Sequence, residues 1–281
     1  MSFADLLRFY INPQKFFIKD CLGIHLDSGE ELPDDREIFE VSGLNKYHVE
    51  EEMVRSELSG EPISLSNIRN KIQTEGRWPL GTSGQLAFEQ TQAGIESFTE
   101  KIHEQQMGVR LTDLPIDLST GNHRLVGALS NLYENGVMLV RYGKLRGRDL
   151  LSGWIHHIVL SRLIPSPETR IVAMDRVVSF SKLAEGPDLG TLLNHFIEGG
   201  RAPSLFFIEP AFVYASQLAN KRSRTSPIEK ALQILNTRLQ KGYEPEWELL
   251  LSGSGEELVF GEDFERFCHE IMCPVWSAAD E

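Results

Sequence analysis

If the chain performs chemistry, the first place to look is LVGALSNLYENGVMLVRYGKL, Leu125 to Leu145, two strand-like runs joined by a tight turn at Glu134-Asn135-Gly136. A hairpin with inward carboxylates can hold a divalent cation against a scissile phosphate. Such a hard cation takes oxygen ligands, and it must reach both the phosphate and the attacking water. The two strand-like runs, 125–133 and 136–145, contain no acid at all, and Ser130, Arg141 and Gly143 are among their residues. A guanidinium at Arg141 would repel a two-plus ion by several kcal/mol, roughly, in a partly desolvated site. Lys144 follows Gly143 directly, which on a strand puts the two on opposite faces. Asp149 and Glu134 fall outside the inward positions, as a helix N-terminal charge and a turn residue. The hairpin is therefore expected to hold no metal and to carry no catalytic residue.

Other chemistries find less support. His156 and His157 are adjacent on an apolar helix, about 100° apart around it, and packing or surface roles suit them better than metal ligation. Cys268 and Cys273 lack the CxxC spacing and a second pair that zinc or an iron–sulfur cluster would need. No GxxxxGK[ST], no GxGxxG after a strand and no GxSxG occurs. No cofactor is expected.

Around the hairpin the periodicity changes twice. Ser2 with Asp5 reads as the start of a first helix, and Asn12-Pro13 as the cap and first position of a second. HLDSGEELPDDREI is acidic and turn-rich, an expected loop. LNKYHVEEEMVRSELSG and SLSNIRNKIQTEG read as helices closed by Gly60 and Gly76. From Gln85 to Gln106, Leu86, Phe88, Ile95, Phe98 and Ile102 recur at helical spacing. The period then drops to two, and VRLTDLPIDL, HRLVGALSNLY and GVMLVRY read as three successive strands. RDLLSGWIHHIVLSRL follows as a helix, and RIVAMD with RVVSFSKL gives further strand. Helices are expected near 188–199, 210–220, 227–241 and 262–272. The reading is α/β, a mixed sheet flanked by helices. Residues 1–108 form an N-terminal helical part and 109–281 a core with C-terminal helices, integrated into one structural domain.

The net charge is −13, which argues against a simple nucleic-acid binder, but the charge is unevenly placed. Residues 27 to 61 hold twelve acids against three bases, and residues 244 to 281 hold eleven against Arg266 alone. Between 121 and 240 fifteen bases face nine acids, so a local basic path is permitted. No apolar run of about 18 residues could cross a bilayer. The opening residues lack a secretion or mitochondrial signal, and three cysteines suit a reducing compartment, so the cytoplasm is expected.

The order of helix, three strands, helix and strand resembles the core of the PD-(D/E)XK nucleases. Their members with a RecB-type nuclease carry Gly-x-x-Asp on the second strand and Asp-Tyr-Lys on the third. Against that pattern Gly127 and Tyr142 match, while Ser130, Arg141 and Gly143 stand where Asp, Asp and Lys would be. Four longer stretches, DLLRFYINPQKFFIKDCLGIHL, EGRWPLGTSGQLAF, LVRYGKLRGRDLLSGWIHHIVL and LLNHFIEGGRAPSLFFIEPAFVYA, together resemble the carboxy-terminal domain of RecC, the gamma subunit of exodeoxyribonuclease V. That resemblance implies a nuclease-like fold without nuclease chemistry and a place in a helicase–nuclease complex with RecB and RecD. The complex would split a DNA duplex end and guide its single strands. It also implies a fragment of a longer chain. Related AddB proteins bind an iron–sulfur cluster through Cys-Pro where this chain has Asn12-Pro13.

RYGKLRGR places Arg141, Lys144, Arg146 and Arg148 at a strand-to-helix junction, open to three readings: contact with DNA phosphates, a solvated loop, or salt bridges to an acidic partner. Lys221 to Arg224 read as a helix C-terminus. Trp78, in a Gly/Pro-flanked loop, could cap the long helix, meet a partner subunit or stack on a base. Trp154, and Phe206 and Phe207 within SLFFIEPAFVYA, are expected in the core. The expected function is a non-catalytic nuclease-like scaffold and subunit-interaction surface, with a DNA path along it. Two rivals stand beside it: an active metal-dependent nuclease using displaced acids such as Asp149, Asp175 or Glu209, and an acidic protein-binding module without DNA contact.

Overall fold

The computed structural model describes residues 1–26, 43–58, 65–181, 186–252 and 260–280. It divides into two compact units, Met1–Ser28 with Met107–Glu281, and Gly29–Gln106. The helices expected in the first 108 residues are shared between them. The acidic loop at 27–42 and the Gly60 helix stop lie outside the described residues.

The second unit is helical, with α3 (Gly43–Leu58), α4 (Leu65–Thr74) and α5 (Gly81–Glu104). Val49 and Met53, Ile68 and Ile72, and Phe88, Ile95, Phe98 and Ile102 recur at helical spacing and are buried. Leu86, assigned by periodicity to the same stripe, is 56% exposed instead. Trp78 packs edge-to-face on Phe88, and its indole N–H donates to the Gly84 carbonyl at 2.8 Å. Gly84 is required there, since a Cβ would lie 1.9 Å from the Pro79 oxygen. The Trp78 loop is thus folded tightly onto the first turn of α5.

The first unit is mixed α/β. Its N-terminal helix α1 (Phe3–Ile11) starts after Ser2, whose carbonyl, not its hydroxyl, takes the Leu6 N–H. Asn12 caps α2 (Pro13–Lys15) through its Oδ1, 2.9 Å from the Lys15 N–H, and a π-helical turn, Phe16–Cys21, continues it. Strands β1 (Leu114–Thr120) and β2 (His123–Leu129) form an antiparallel pair. A second sheet has the order β3 (Leu132–Tyr133), β4 (Gly136–Arg141), β5 (Thr169–Ala173), β6 (Val177–Phe180). β4 and β5 run parallel, joined through α6 (Gly147–Ser161), and β5 pairs antiparallel with β6.

Three strand expectations need correction. Residues 109–113 contribute an isolated bridge, Arg110 to Tyr133, and no strand. The single strand expected over 123–133 is split between two sheets by Ser130-Asn131. Asn131 takes φ +56°, a left-handed conformation that asparagine tolerates and that breaks the ladder. The hairpin turn expected at Glu134-Asn135-Gly136 is shorter by one residue. Tyr133 pairs with Gly136, so Glu134 and Asn135 form the loop and Gly136 opens β4. Gly136 is needed because Glu168 passes so close that a Cβ would lie 1.9 Å from its carbonyl oxygen.

Helix α6 is buried on nearly every side, with Leu150, Leu151, Trp154, Ile155, Ile158 and Val159 in the core. Gly153 lets it rest on β5, where a Cβ would come 2.4 Å from the Ile171 Cδ1. β5, buried along Ile171, Val172 and Ala173, reads as the covered central strand of a sheet with a parallel pairing. Four helices follow: α7 (Leu189–Gly199), α8 (Ile208–Ala219), α9 (Pro227–Gln240) and α10 (Pro245–Leu251). The closing helical run, Glu262–Phe267 and Cys273–Ala278, has a π-helical turn between its parts. Both chain ends are stitched to sheets: Met1 O accepts from Val126 N–H at 3.0 Å, and Ser179 and Asp280 exchange two backbone bonds at 2.9 and 3.0 Å.

Candidate functional site

The candidate site is the junction where β4 ends and α6 begins. Arg141, the last residue of β4, pairs in register with Ala173 of β5. Its guanidinium, 15% exposed, reaches forward so that Nε lies 3.7 Å from Asp149 Oδ2. It also crosses Gly143, where a Cβ would lie 3.4 Å from Arg141 Nε. Gly143 has φ +149°, a conformation side chains rarely adopt. The arginine thus lies over the position a lysine side chain would leave from, and the backbone there suits glycine. Ser130 lies at the break between β2 and β3. The hairpin register runs through Leu132–Val137 and the Asn131 carbonyl, which accepts from Met138.

Downstream, three carboxylates hold the backbone of the junction. Asp175 Oδ1 accepts from Leu145 N–H at 2.8 Å, and Asp149 Oδ2 accepts from Arg146 N–H at 3.0 Å. Glu209, in the first turn of α8, accepts from Gly147 N–H at 3.3 Å and, at 3.5 Å, from Arg148 N–H. The first N–H groups of a helix have no intrahelical partner, so these acids satisfy the start of α6. They are the three residues a displaced-acid nuclease would have to recruit. Burial pushes the Asp149 carboxyl above its usual value, against the pull of Arg141, Arg148 and the Arg146 N–H. Burial acts upward on Asp175 too, but the Leu145 N–H and Arg176 together bring it below the ordinary range. Among the described residues no three His, Cys, Asp or Glu side chains gather as metal ligands would.

Of the residues singled out for DNA contact, Lys144 and Arg146 are exposed and Arg148 is partly buried. Lys144 lies beyond the end of β4, so strand alternation does not decide where it points. Trp78 is 2% exposed, with its indole engaged on α5. The structure places Arg141, Lys144, Arg146 and Arg148 along one strand-to-helix junction, from the end of β4 to the first turn of α6, and Trp78 in the other unit. Lys221 to Arg224 lie in the α8–α9 loop, just past the end of α8 at Ala219.

His156, His157, Cys268 and Cys273 are packing groups. His156 Nδ1 lies 2.7 Å from the Ser152 carbonyl and its ring meets Phe3 edge-on. His157 is fully buried between Trp154 and Phe180, and that burial lowers it to about 4. Burial raises Cys268 well above its usual value and Cys273 to about 11, which disfavours the thiolate a metal would need. Asn12 donates from Nδ2 to Glu244 Oε2 at 2.8 Å while capping α2, so the Asn-Pro pair is a structural clip. Sequence reasoning missed the role of Asp175 and Glu209 as backbone clamps. It missed Arg238 of α9 as a neighbour of the junction as well. No local pattern signals either.

A family model described as RecC C-terminal domain matches residues 1–219. Curated relatives named RecBCD enzyme subunit RecC are similar to this chain. The protein from Buchnera aphidicola subsp. Acyrthosiphon pisum is 19% identical over 276 residues, 97% of this chain and 24% of its own length. That from Mycolicibacterium smegmatis is 26% identical over 183 residues, 63% of this chain and 16% of its own. The Haemophilus influenzae protein is 22% identical over 161 residues, 55% of this chain and 14% of its own. The chain therefore spans about a quarter or less of these relatives.

Proposed function

This chain belongs to the RecC C-terminal domain family, and on that premise we propose that it is a non-catalytic, nuclease-like body. In this reading it serves as scaffold and subunit-interaction surface for RecB- and RecD-type partners in a cytoplasmic RecBCD-type complex that processes DNA ends. The basic junction of Arg141, Lys144, Arg146 and Arg148 lines a DNA path, and Trp78 stays a structural anchor. The reading takes the β3–β4 hairpin, α6 and the parallel β5 as a PD-(D/E)XK-like core, and residues 1–281 as part of a larger subunit.

The observation that carries the proposal is the fate of the charges at the junction. Where metal chemistry needs Asp, Asp and Lys stand Ser130, Arg141 and Gly143. The acids that might replace them, Asp149, Asp175 and Glu209, each accept a backbone N–H. A carboxylate so engaged beside a guanidinium is a poor ligand for a divalent ion.

Incubating the purified chain with linear DNA and magnesium or manganese tests the catalytic half. We expect no cleavage above background. Cleavage that disappears in Asp149→Ala would instead establish an active nuclease. For the scaffold half, the chain should capture RecB- and RecD-type subunits of the same organism in a pull-down. Capture of neither would remove that half.

A further inference from the structure

At the junction four guanidiniums gather, contributed by β4, the turn into α6, α6 itself and α9, those of Arg141, Arg148 and Arg238 each within electrostatic reach of Arg146. Two are neutralised: Arg141 by Asp149, and Arg238 by Glu244 at 2.8 Å, with the face of Trp247 5.9 Å away. The other two, Arg146 and Arg148, have no ion pair or side-chain hydrogen bond among the described residues. Three acids are in reach: Glu209, which acts on Arg146 and faces the backbone N–H groups of Gly147 and Arg148, and Asp149 and Glu244, which also act on Arg148 but are engaged with the Arg146 N–H and with Arg238. Burial, then Arg148 and Arg141, and more weakly Arg238, lower the Arg146 guanidinium against an opposing pull from Glu209. Positive charge is in local excess.

The two arginines also stand on a fixed backbone. Bonds to Asp175, Asp149 and Glu209 hold residues 145 to 148. Gly147 is wedged on α8, where a Cβ would come 2.7 Å from Phe212 Cβ and 2.9 Å from the Ile208 oxygen. The backbone keeps the two arginines two residues apart, and an oxyanion bound between their side chains would offset the repulsion. Planar guanidinium forks fit a phosphate in bidentate geometry. The N–H groups of the α6 start are already taken, so the site rests on side chains.

We propose that Arg146 and Arg148, backed by Arg238, form a discrete seat for one phosphodiester group of a nucleic-acid strand. The proposal rests on the DNA-path reading above and narrows it: Arg141, paired to Asp149, is part of the frame and not of the seat.

The test uses the 281-residue chain and a fluorescently labelled single-stranded oligonucleotide, followed by anisotropy from about 0.1 to 0.3 M salt, where repulsion from distant charges is screened. Variants are Arg146→Gln with Arg148→Gln, the conservative Arg146→Lys with Arg148→Lys, and a loop control, Lys221→Gln with Arg222→Gln. Thermal unfolding checks the fold of each. The glutamine pair should weaken binding several-fold and reduce the slope of log affinity on log salt by about 0.7 per arginine. The loop control should keep the wild-type slope, and inorganic phosphate should compete where polyglutamate does not.

If the glutamine pair fails to fold, the lysine pair decides, with the slope kept and the affinity lowered by loss of the forks. Oligonucleotide binding unchanged in the glutamine pair, or in a folded lysine pair, overturns the seat and leaves the DNA path standing. So does equal weakening in the loop control. A wild-type chain that binds polyglutamate but no oligonucleotide overturns both.

Discussion

Gly143 fixes what can happen at the end of β4. A lysine placed there would have to adopt φ +149°, a backbone conformation that side chains rarely take. The double replacement Arg141→Asp with Gly143→Lys should therefore lower stability by about 1–3 kcal/mol in chemical denaturation, the usual cost of a strained backbone position. It should not generate cleavage of linear DNA. His157 gives a second prediction. Above about pH 6.5 the ring is neutral folded or unfolded and its contribution to stability is complete. Between 6.5 and about 4 the unfolded chain takes up a proton that the buried ring refuses. Stability should then fall by about 1.4 kcal/mol per pH unit as the medium is acidified. In His157→Leu that share of the slope should be missing from denaturation curves taken across the range. At this scale the sequence was informative about identity and silent about conformation. Spacing picked out Ser130, Arg141 and Gly143, whereas the dihedral at 143 and the pairing of Arg141 with Asp149 depend on tertiary placement.

The turn from β4 into α6 is an element held by acids from elsewhere in the chain. Asp175 follows β5 and Glu209 opens α8, so each ties a distant element to the same four residues. Removing either should leave a partly buried N–H unsatisfied. We expect Asp175→Ala and Glu209→Ala each to cost about 1–3 kcal/mol. Native-state hydrogen exchange should speed up at Leu145 in the first and at Gly147 and Arg148 in the second. An active nuclease using these carboxylates would lose cleavage instead, so the two readings part on one pair of variants. Most helices were legible from periodicity and caps, Asn12 and Gly76 among them. The split of the second strand was not, because one left-handed asparagine leaves the alternation of its neighbours intact. Helix α10 escaped notice because seven residues beginning at a proline give too short a pattern, although Trp247 within it is buried.

Over the whole molecule, acids outnumber bases 41 to 28. Repulsion between this charge and a phosphate backbone reaches roughly 30 Å at 0.01 M salt but about 8 Å at 0.15 M. Oligonucleotide binding should therefore peak at intermediate salt, unlike that of a uniformly basic protein, and an anisotropy series across that range would reveal it. The α/β class was readable from the change of period along the chain, and the family from four separated stretches. The grouping of residues 1–28 with 107–281 was not, because chain order does not show that α1 and α2 rejoin the core. The bridge between Ser179 and Asp280 has a further consequence for biosynthesis. β6 is made long before its edge partner, so on the ribosome the nascent sheet presents an open strand edge, a template for aggregation. That edge stays open until Asp280 has left the exit tunnel, so every residue from Phe180 to Asp280 is translated while β6 is still uncovered.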